Sequence, residues 1–351
     1  MIIDCHGHFT GAPPQLAGYR AALTQPGTGR VRPPTIDDET VAAALRAGQL
    51  RVMRERGIDV VLLSPQASAM GHHQLDPAVA QAWARASNDL VHQASRLFPT
   101  SFAPVCQLPQ TPGGELGPLV HELRRCVDLG FVACNLNPDP SGGHWTSPPL
   151  TDESWFGLYE VMVELEVPAM IHVSASCTPA ASTLGAHYLN ADTSVFMQLL
   201  EGDLFNRFPT LRLVIPHAGG AVPYHWGRYR GLAERLGRPP LTEHLMRNVG
   251  FDTCVYHRPG MELLVSVVNV ENVLFASEML GAVRGADPET GIEWDDTRRY
   301  LEAMDLTADV RHAIFEGNVR RLYPRLDTRL RAQAGLQEAG SPHATQIGPA
   351  S

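Results

Sequence analysis

Eight short apolar runs divide the chain, and they constrain its fold more than anything else in it. They are "MIID" (1–4), "DVVLLS" (59–64), "SFAPVCQL" (101–108), "FVACNLN" (131–137), "PAMIHV" (168–173), "LRLVIPH" (211–217), "GFDTCV" (250–255) and "NVLFASE" (272–278). Most are near-continuous rather than alternating, as strands covered on both faces must be. Segments of helical spacing lie between them, over 38–56, 76–97, 115–129, 152–166, 192–206, 221–236 and 259–269, with one or two more over 295–321. In "GPLVHELRRCVDLG" (117–130), Leu119, Leu123, Cys126 and Val127 form an apolar stripe and Gly130 stops the helix. Strands alternating with helices, and no second zone of composition in 351 residues, predict a single α/β domain. The expected fold is a (β/α)8 TIM-type barrel over 1–330. An open doubly wound sheet is the alternative, but "HGHFTGAPP" after the first run carries no G-x-G-x-x-G phosphate loop. Two insertions at the C-terminal face interrupt the alternation. Residues 9–36, rich in Pro and Gly, read as a lid or arm, and 138–151, "PDPSGGHWTSPPLT", as a loop over the mouth. The polar stretch 331–351 reads as a flexible tail.

Charge and cysteine usage exclude several classes of function. A net charge of −9 argues against nucleic acid as a partner. No apolar run is long enough to span a membrane, and no basic-then-apolar leader precedes the first run, so a cytoplasmic protein is expected. The six cysteines are scattered singly, with no Cys-x-x-Cys, which disfavours a thiolate zinc site. Cys5, Cys106, Cys134 and Cys254 fall within apolar runs and suit buried free thiols in a reducing compartment. All 28 basic residues are arginine. The absence of lysine rules out Schiff-base chemistry and a metal pair bridged by a carbamylated lysine, while arginine remains available to grip carboxylates.

Barrel enzymes carry their chemistry at the carboxyl ends of the strands. The first run ends in "CHGH", placing His6 and His8 one residue apart on one strand face. Alone, that pair serves a metal or a structural role equally well. The other run ends add Asn135 and Asn137, His172, His217, the Tyr256–His257 pair just past the seventh run, and Glu278. Imidazoles from the first, fifth and sixth strands with a carboxylate from the eighth, all at one rim, suit zinc with a position left open for water or substrate. A barrel without catalysis, acting as a binding module, predicts lost ligand-type residues at that rim, and none is lost.

These residues carry a family resemblance. H-x-H on the first strand, His172 on the fifth, His217 on the sixth and an acid on the eighth are similar to the amidohydrolase superfamily, in the branch with its metal-dependent decarboxylases. Within the branch the closer likeness is to hydratases of an oxo-tricarboxylate, through "CNLNPDPSGGHW", "IPHAGGAVPYHWGRYRGL", "SEMLGAVRG" and "IFEGNVRRLYPRLD". The branch more usually has aspartate where this chain has Glu278, and the longer side chain favours the hydratase reading. The resemblance implies one Zn2+ per chain held by His6, His8, His172 and Glu278, with Glu278 as ligand, base or both. It implies that His217 stands outside the ligand set and moves protons. It implies a small polycarboxylate substrate, with Arg284 as first choice for a carboxylate clamp and Asn137, His144, Tyr188, Arg228 and Ser68 as further contacts. A homodimer is expected on the same basis. The expected reaction is hydration of a conjugated double bond. Non-oxidative decarboxylation of an aromatic or muconate-type acid, or hydrolysis of a related lactone, are the alternatives.

Overall fold

The computed structural model describes residues 1–25 and 31–340. Eight parallel strands follow one another in chain order: β1 (Ile3–His8), β2 (Val60–Ser64), β3 (Phe102–Gln107), β4 (Ala133–Leu136), β5 (Ala169–Ile171), β6 (Leu213–Ile215), β7 (Val249–Asp252) and β8 (Val273–Leu274). The Cys5 amide donates to the Phe275 carbonyl at 3.0 Å, which joins β1 to the end of β8 and closes the ring. The expected (β/α)8 barrel is the architecture observed, with every expected run yielding a strand.

Strand residues alternate between two cores. Ile3, Val60, Leu62, Ala103, Val105, Met170, Val214 and Leu274 fill the barrel interior. Val61, Leu63, Phe102, Leu136, Ile171, Leu213, Ile215 and Phe251 face the surrounding helices. Val319, Leu322, Tyr323, Leu326 and Leu330 join the interior core from below, so the chain's last helices plug the barrel floor. That plug corrects one expectation. Residues from 331 onward read as a flexible tail, yet the helix Pro324–Gly340 runs through them, with Gln333 Nε2 donating to the Pro99 carbonyl at 2.8 Å. Residues 341–351 of that expected tail lie outside the described residues.

The insertions differ in detail from their sequence reading. Residues 9–36 carry a helix, Pro14–Leu23, which buries Leu16 and Tyr19 and sets Arg20 over the Trp83 ring at 5.7 Å. Residues 26–30 of that insertion lie outside the described residues. The loop 138–151 is folded around the buried Asp139 carboxylate, which accepts the amides of Ser141, Gly143 and Trp145. The helix expected over 38–56 is two, Asp38–Ala47 and Gln49–Arg56, broken at Gly48 (φ −104°, ψ −106°). No helix among the described residues is long and apolar enough to cross a membrane.

The local shape of β1 sets up the site. Its pairing with β2 shifts register between Asp4 and Gly7. That irregularity lets Cys5 join the interior core while His6, the next residue, also turns toward the axis. Gly7 sits where β1 presses on β2, and a Cβ there would lie 2.3 Å from Val61 Cγ1. Gly7→Ala is therefore expected to destabilise the fold by about 1–3 kcal/mol through overpacking, read as a lowered midpoint of denaturant unfolding. An unchanged midpoint would show that the two strands part there freely.

Candidate metal centre and active site

His6 and His8 lie within β1, one residue apart, and both rings point to the barrel axis. Their Nε2 atoms are 3.1 Å apart, and His8 Nε2 is 3.3 Å from Nε2 of His172, just past β5. The other ring nitrogen of each histidine fixes its tautomer. His172 Nδ1 lies 2.8 Å from the Val173 carbonyl, which only accepts, so Nδ1 carries the hydrogen. His6 Nδ1 donates to Asp252 Oδ2 at 2.8 Å. Burial opposes the charge on Asp252, but the His6 ring and the Cys254 amide hold its pKa below the usual value. His8 Nδ1 donates to Ser64 Oγ at 2.8 Å, since Ser64 has its own proton within reach of the Gly7 and Pro65 carbonyls. Burial, reinforced by neighbouring imidazoles, pushes the His8 and His172 pKa values well below the ordinary range. The bare Nε2 atoms of His8 and His172 therefore face each other, and His6 Nε2 converges on the same point.

Glu278 approaches this nest from the end of the eighth strand region. Its Oε1 is 3.9 Å from His8 Nε2 and its Oε2 is 3.8 Å from His217 Nε2. The Tyr256 hydroxyl donates to Oε2 at 2.7 Å. Donor atoms of His6, His172, His217 and Glu278 all lie within 4.8 Å of one another, and His8 abuts two of them. Converging neutral imidazoles beside a carboxylate fit a divalent cation of the zinc type.

His217 differs from the other three histidines. Its Nδ1 is 2.9 Å from Asp192 Oδ2, and its Nε2 has no hydrogen-bond partner among the described residues. Burial works against a charged ring, yet the Asp192 carboxylate outweighs it and lifts His217 to about 9. The ring stacks on Tyr188 at 5.6 Å, 9° from parallel.

Backbone strain concentrates here. Among the described residues seven non-glycine residues have positive φ, and five of them follow β6, β7 and β8: His217 (50°), Ala218 (54°), Tyr256 (61°), Glu278 (49°) and Leu280 (59°). Left-handed backbone costs roughly 1–2 kcal/mol per L-residue, and such strain gathers at functional sites.

A cavity of about 210 Å³ opens on this group, lined by His8, His172, Tyr188, Ser68, Glu278 and the Gly281–Ala282 turn among others. Of the sequence-expected residues, the structure brings His6, His8, His172, His217, Glu278, Tyr188 and Ser68 together. Four others lie elsewhere. Arg284 is exposed and donates to carbonyls of its own loop, at Leu280 (2.5 Å) and Gly281 (3.4 Å), because a side chain so close along the chain finds those acceptors first. Arg228 is exposed at the start of the helix Trp226–Arg235, and His144 is exposed on its loop. Asn137 is fully buried and spent on structure: its amide is 2.7 Å from His72 Nδ1 and its backbone N–H donates to Gln110. No arginine lines the cavity among the described residues. Sequence reading gave no role to Asp252, Asp192, Ser64 or Tyr256. The one available signal was an aspartate inside the apolar run "GFDTCV".

The amidohydrolase family matches residues 3–325. Over 342 residues the chain is 55% identical to a 2-keto-4-carboxy-3-hexenedioate hydratase of Sphingobium sp., covering 95% of this chain and 99% of that protein. The crystal structure of 4-oxalomesaconate hydratase from Rhodopseudomonas palustris superposes with a TM-score of 0.88 at 52% identity, over 96% of this chain and 100% of that one. A gamma-resorcylate decarboxylase of Polaromonas sp. is 29% identical over 192 residues, covering 51% of this chain and 57% of that protein. With its strand-end imidazoles gathered at one mouth of the barrel and the match running nearly end to end, this chain belongs to the amidohydrolase family.

Proposed function

We propose that this chain is a zinc-dependent hydratase, adding water to 4-oxalomesaconate to give 4-carboxy-4-hydroxy-2-oxoadipate in the breakdown of aromatic acids. What carries the reading is 55% identity to a hydratase across 95% of the chain, against 29% over 51% for a decarboxylase. The two hydratase names describe one skeleton, a tricarboxylate whose ketone is conjugated with a carbon–carbon double bond. Glu278, in place of the aspartate more usual in this branch, supports the same reading.

The residues divide the reaction between them. His6, His8, His172 and Glu278 would hold one zinc ion per chain. When bound, that cation supplies positive charge that acidifies water and steadies a developing enolate. Glu278 is placed to take a proton from water as its oxygen adds to the carbon β to the ketone. Tyr256, donating to Oε2, keeps the carboxylate aimed while Oε1 stays free. His217 carries a proton on Nε2 toward the cavity and returns it to the α carbon, and Asp192 holds the charged ring in place. Tyr188 and Ser68 contact the substrate from the wall they form. Arg284 serves as carboxylate clamp by leaving its carbonyl partners, since its turn begins at the cavity-lining Gly281. Asn137 shapes the loop beneath, and His144 and Arg228 complete the rim in a homodimer.

Purified protein is expected to contain about one zinc per chain and to lose activity to a chelator; two equivalents would break the mononuclear assignment. With 4-oxalomesaconate, the conjugated ultraviolet absorbance should disappear without release of CO2, and stoichiometric CO2 would make the enzyme a decarboxylase instead. Glu278→Gln is expected to lower kcat by about 10²–10⁴-fold with the fold intact; near-normal turnover removes Glu278 from the chemistry. Arg284→Ala should raise KM by about tenfold or more, the loss of a charge-assisted carboxylate contact, without moving the melting temperature. An unchanged KM places the clamp elsewhere.

A further inference from the structure

Glu278 stands on a short turn closed by one backbone hydrogen bond, the Gly281 amide to the Glu278 carbonyl at 2.9 Å, and gripped from outside by side chains. Glu278 and Leu280 are both left-handed, and between them Met279 is buried. Two carboxylates from distant parts of the chain grip this segment on either side. Upstream, Asp4 of β1 accepts the Ser277 amide at 3.2 Å and the Ser277 hydroxyl. Downstream, Asp295 Oδ2 accepts the Leu280 amide at 2.9 Å. Asp295 is itself fixed, since Arg56 donates to its Oδ1 at 2.6 Å and to its backbone carbonyl at 2.9 Å. Both partners of that ion pair are buried, with side-chain exposures of 10% and 5%. Arg56 ends the helix Gln49–Arg56, and its own carbonyl accepts from Arg298. Within the segment, Gly281 packs so tightly on Glu278 that a Cβ would lie 2.9 Å from Glu278 Cγ and 2.5 Å from its carbonyl oxygen. The same Gly281 lines the cavity.

We infer that Asp295, anchored by Arg56, is a positioning residue for the reaction. It holds the left-handed turn at Leu280 that aims the Glu278 carboxylate into the cavity. The inference rests on the role proposed for Glu278. Without the Asp295 oxygen, the Leu280 amide loses its acceptor and the strained turn loses the contact that offsets its cost. Glu278 then samples orientations away from the reacting atoms, and a misplacement of about 1 Å costs about 10²-fold in rate. Substrate contacts made by Tyr188 and Ser68 lie on other loops and stay as they are.

Asp295→Ala, Asp295→Asn, Arg56→Met and the double variant Arg56→Met/Asp295→Ala are assayed with 4-oxalomesaconate below their melting temperatures. Asp295→Ala is expected to lower kcat by about 10–100-fold with KM within about threefold of the parent. Asp295→Asn and Arg56→Met should lose less, because the Leu280 amide keeps an acceptor. The double variant should be no worse than Asp295→Ala, since Arg56 acts through Asp295. Should Asp295→Ala fail to fold, Asp295→Asn and Arg56→Met carry the test on the same split between kcat and KM. A kcat within about twofold of the parent in all the folded variants overturns the inference, as do additive losses in the double variant or a KM that rises in step with the fall in kcat. If Glu278→Gln is inactive while these variants are normal, only the positioning role falls. If Glu278→Gln is active, the role of Glu278 falls first.

Discussion

Ring nitrogens of His6, His8 and His172 face one another across gaps of 3.1 and 3.3 Å. Everything else at the barrel mouth follows from making that arrangement possible. Each ring must give its single hydrogen to an acceptor behind it, and the three acceptors come from three places: the Asp252 carboxylate on β7, the Ser64 hydroxyl on β2 and the Val173 carbonyl beside His172 itself. Only a closed barrel brings a β7 residue behind a β1 histidine. Without a cation, bare buried nitrogens repel and lack partners. With one, the same three lone pairs become ligands and their hydrogen-bonded backs hold each ring in register. Fold and metal preference are therefore one design, and a cation that binds only the folded state adds to its stability.

The barrel divides its labour by side. His6, His8 and His172 all have negative φ, and burial keeps His8 and His172 neutral. After β6, β7 and β8 the chain turns left-handed at His217, Tyr256 and Glu278. A strand that ends in regular geometry points its last side chains alternately in and out. The left-handed residue breaks that alternation and turns the side chain over the mouth. The strain is offset by buried hydrogen bonds at each point: Asp192 to His217, and Tyr256 to Glu278.

Much of this was legible in the sequence, and the limits have physical causes. Near-continuous apolar runs announced covered parallel strands, and the barrel rule then named His6, His8, His172, His217 and Glu278 without reference to any structure. Their partners were not legible. Asp252 lies 246 residues from His6, and nothing local marks an aspartate in an apolar run as the acceptor for one particular ring. Arg284 was placed in the right loop, but loop membership does not fix side-chain direction, and nearby carbonyls capture its guanidinium. Polar composition reads 331–340 as tail, although these residues form the second half of the helix Pro324–Gly340. The repeat of Leu322, Leu326 and Leu330 at four-residue spacing was the overlooked signal, one apolar stripe that seals the barrel floor.

The cavity presents few fixed positive charges. No arginine lines the cavity among the described residues, and the protein carries a net charge of −9. In this arrangement the positive charge nearest the cavity belongs to the site's own groups. The Asp192 carboxylate behind His217 lifts its ring to about 9, and the adjacent imidazoles would hold a divalent cation. Both are buried, so their pull on an anion is screened far less than that of a surface arginine.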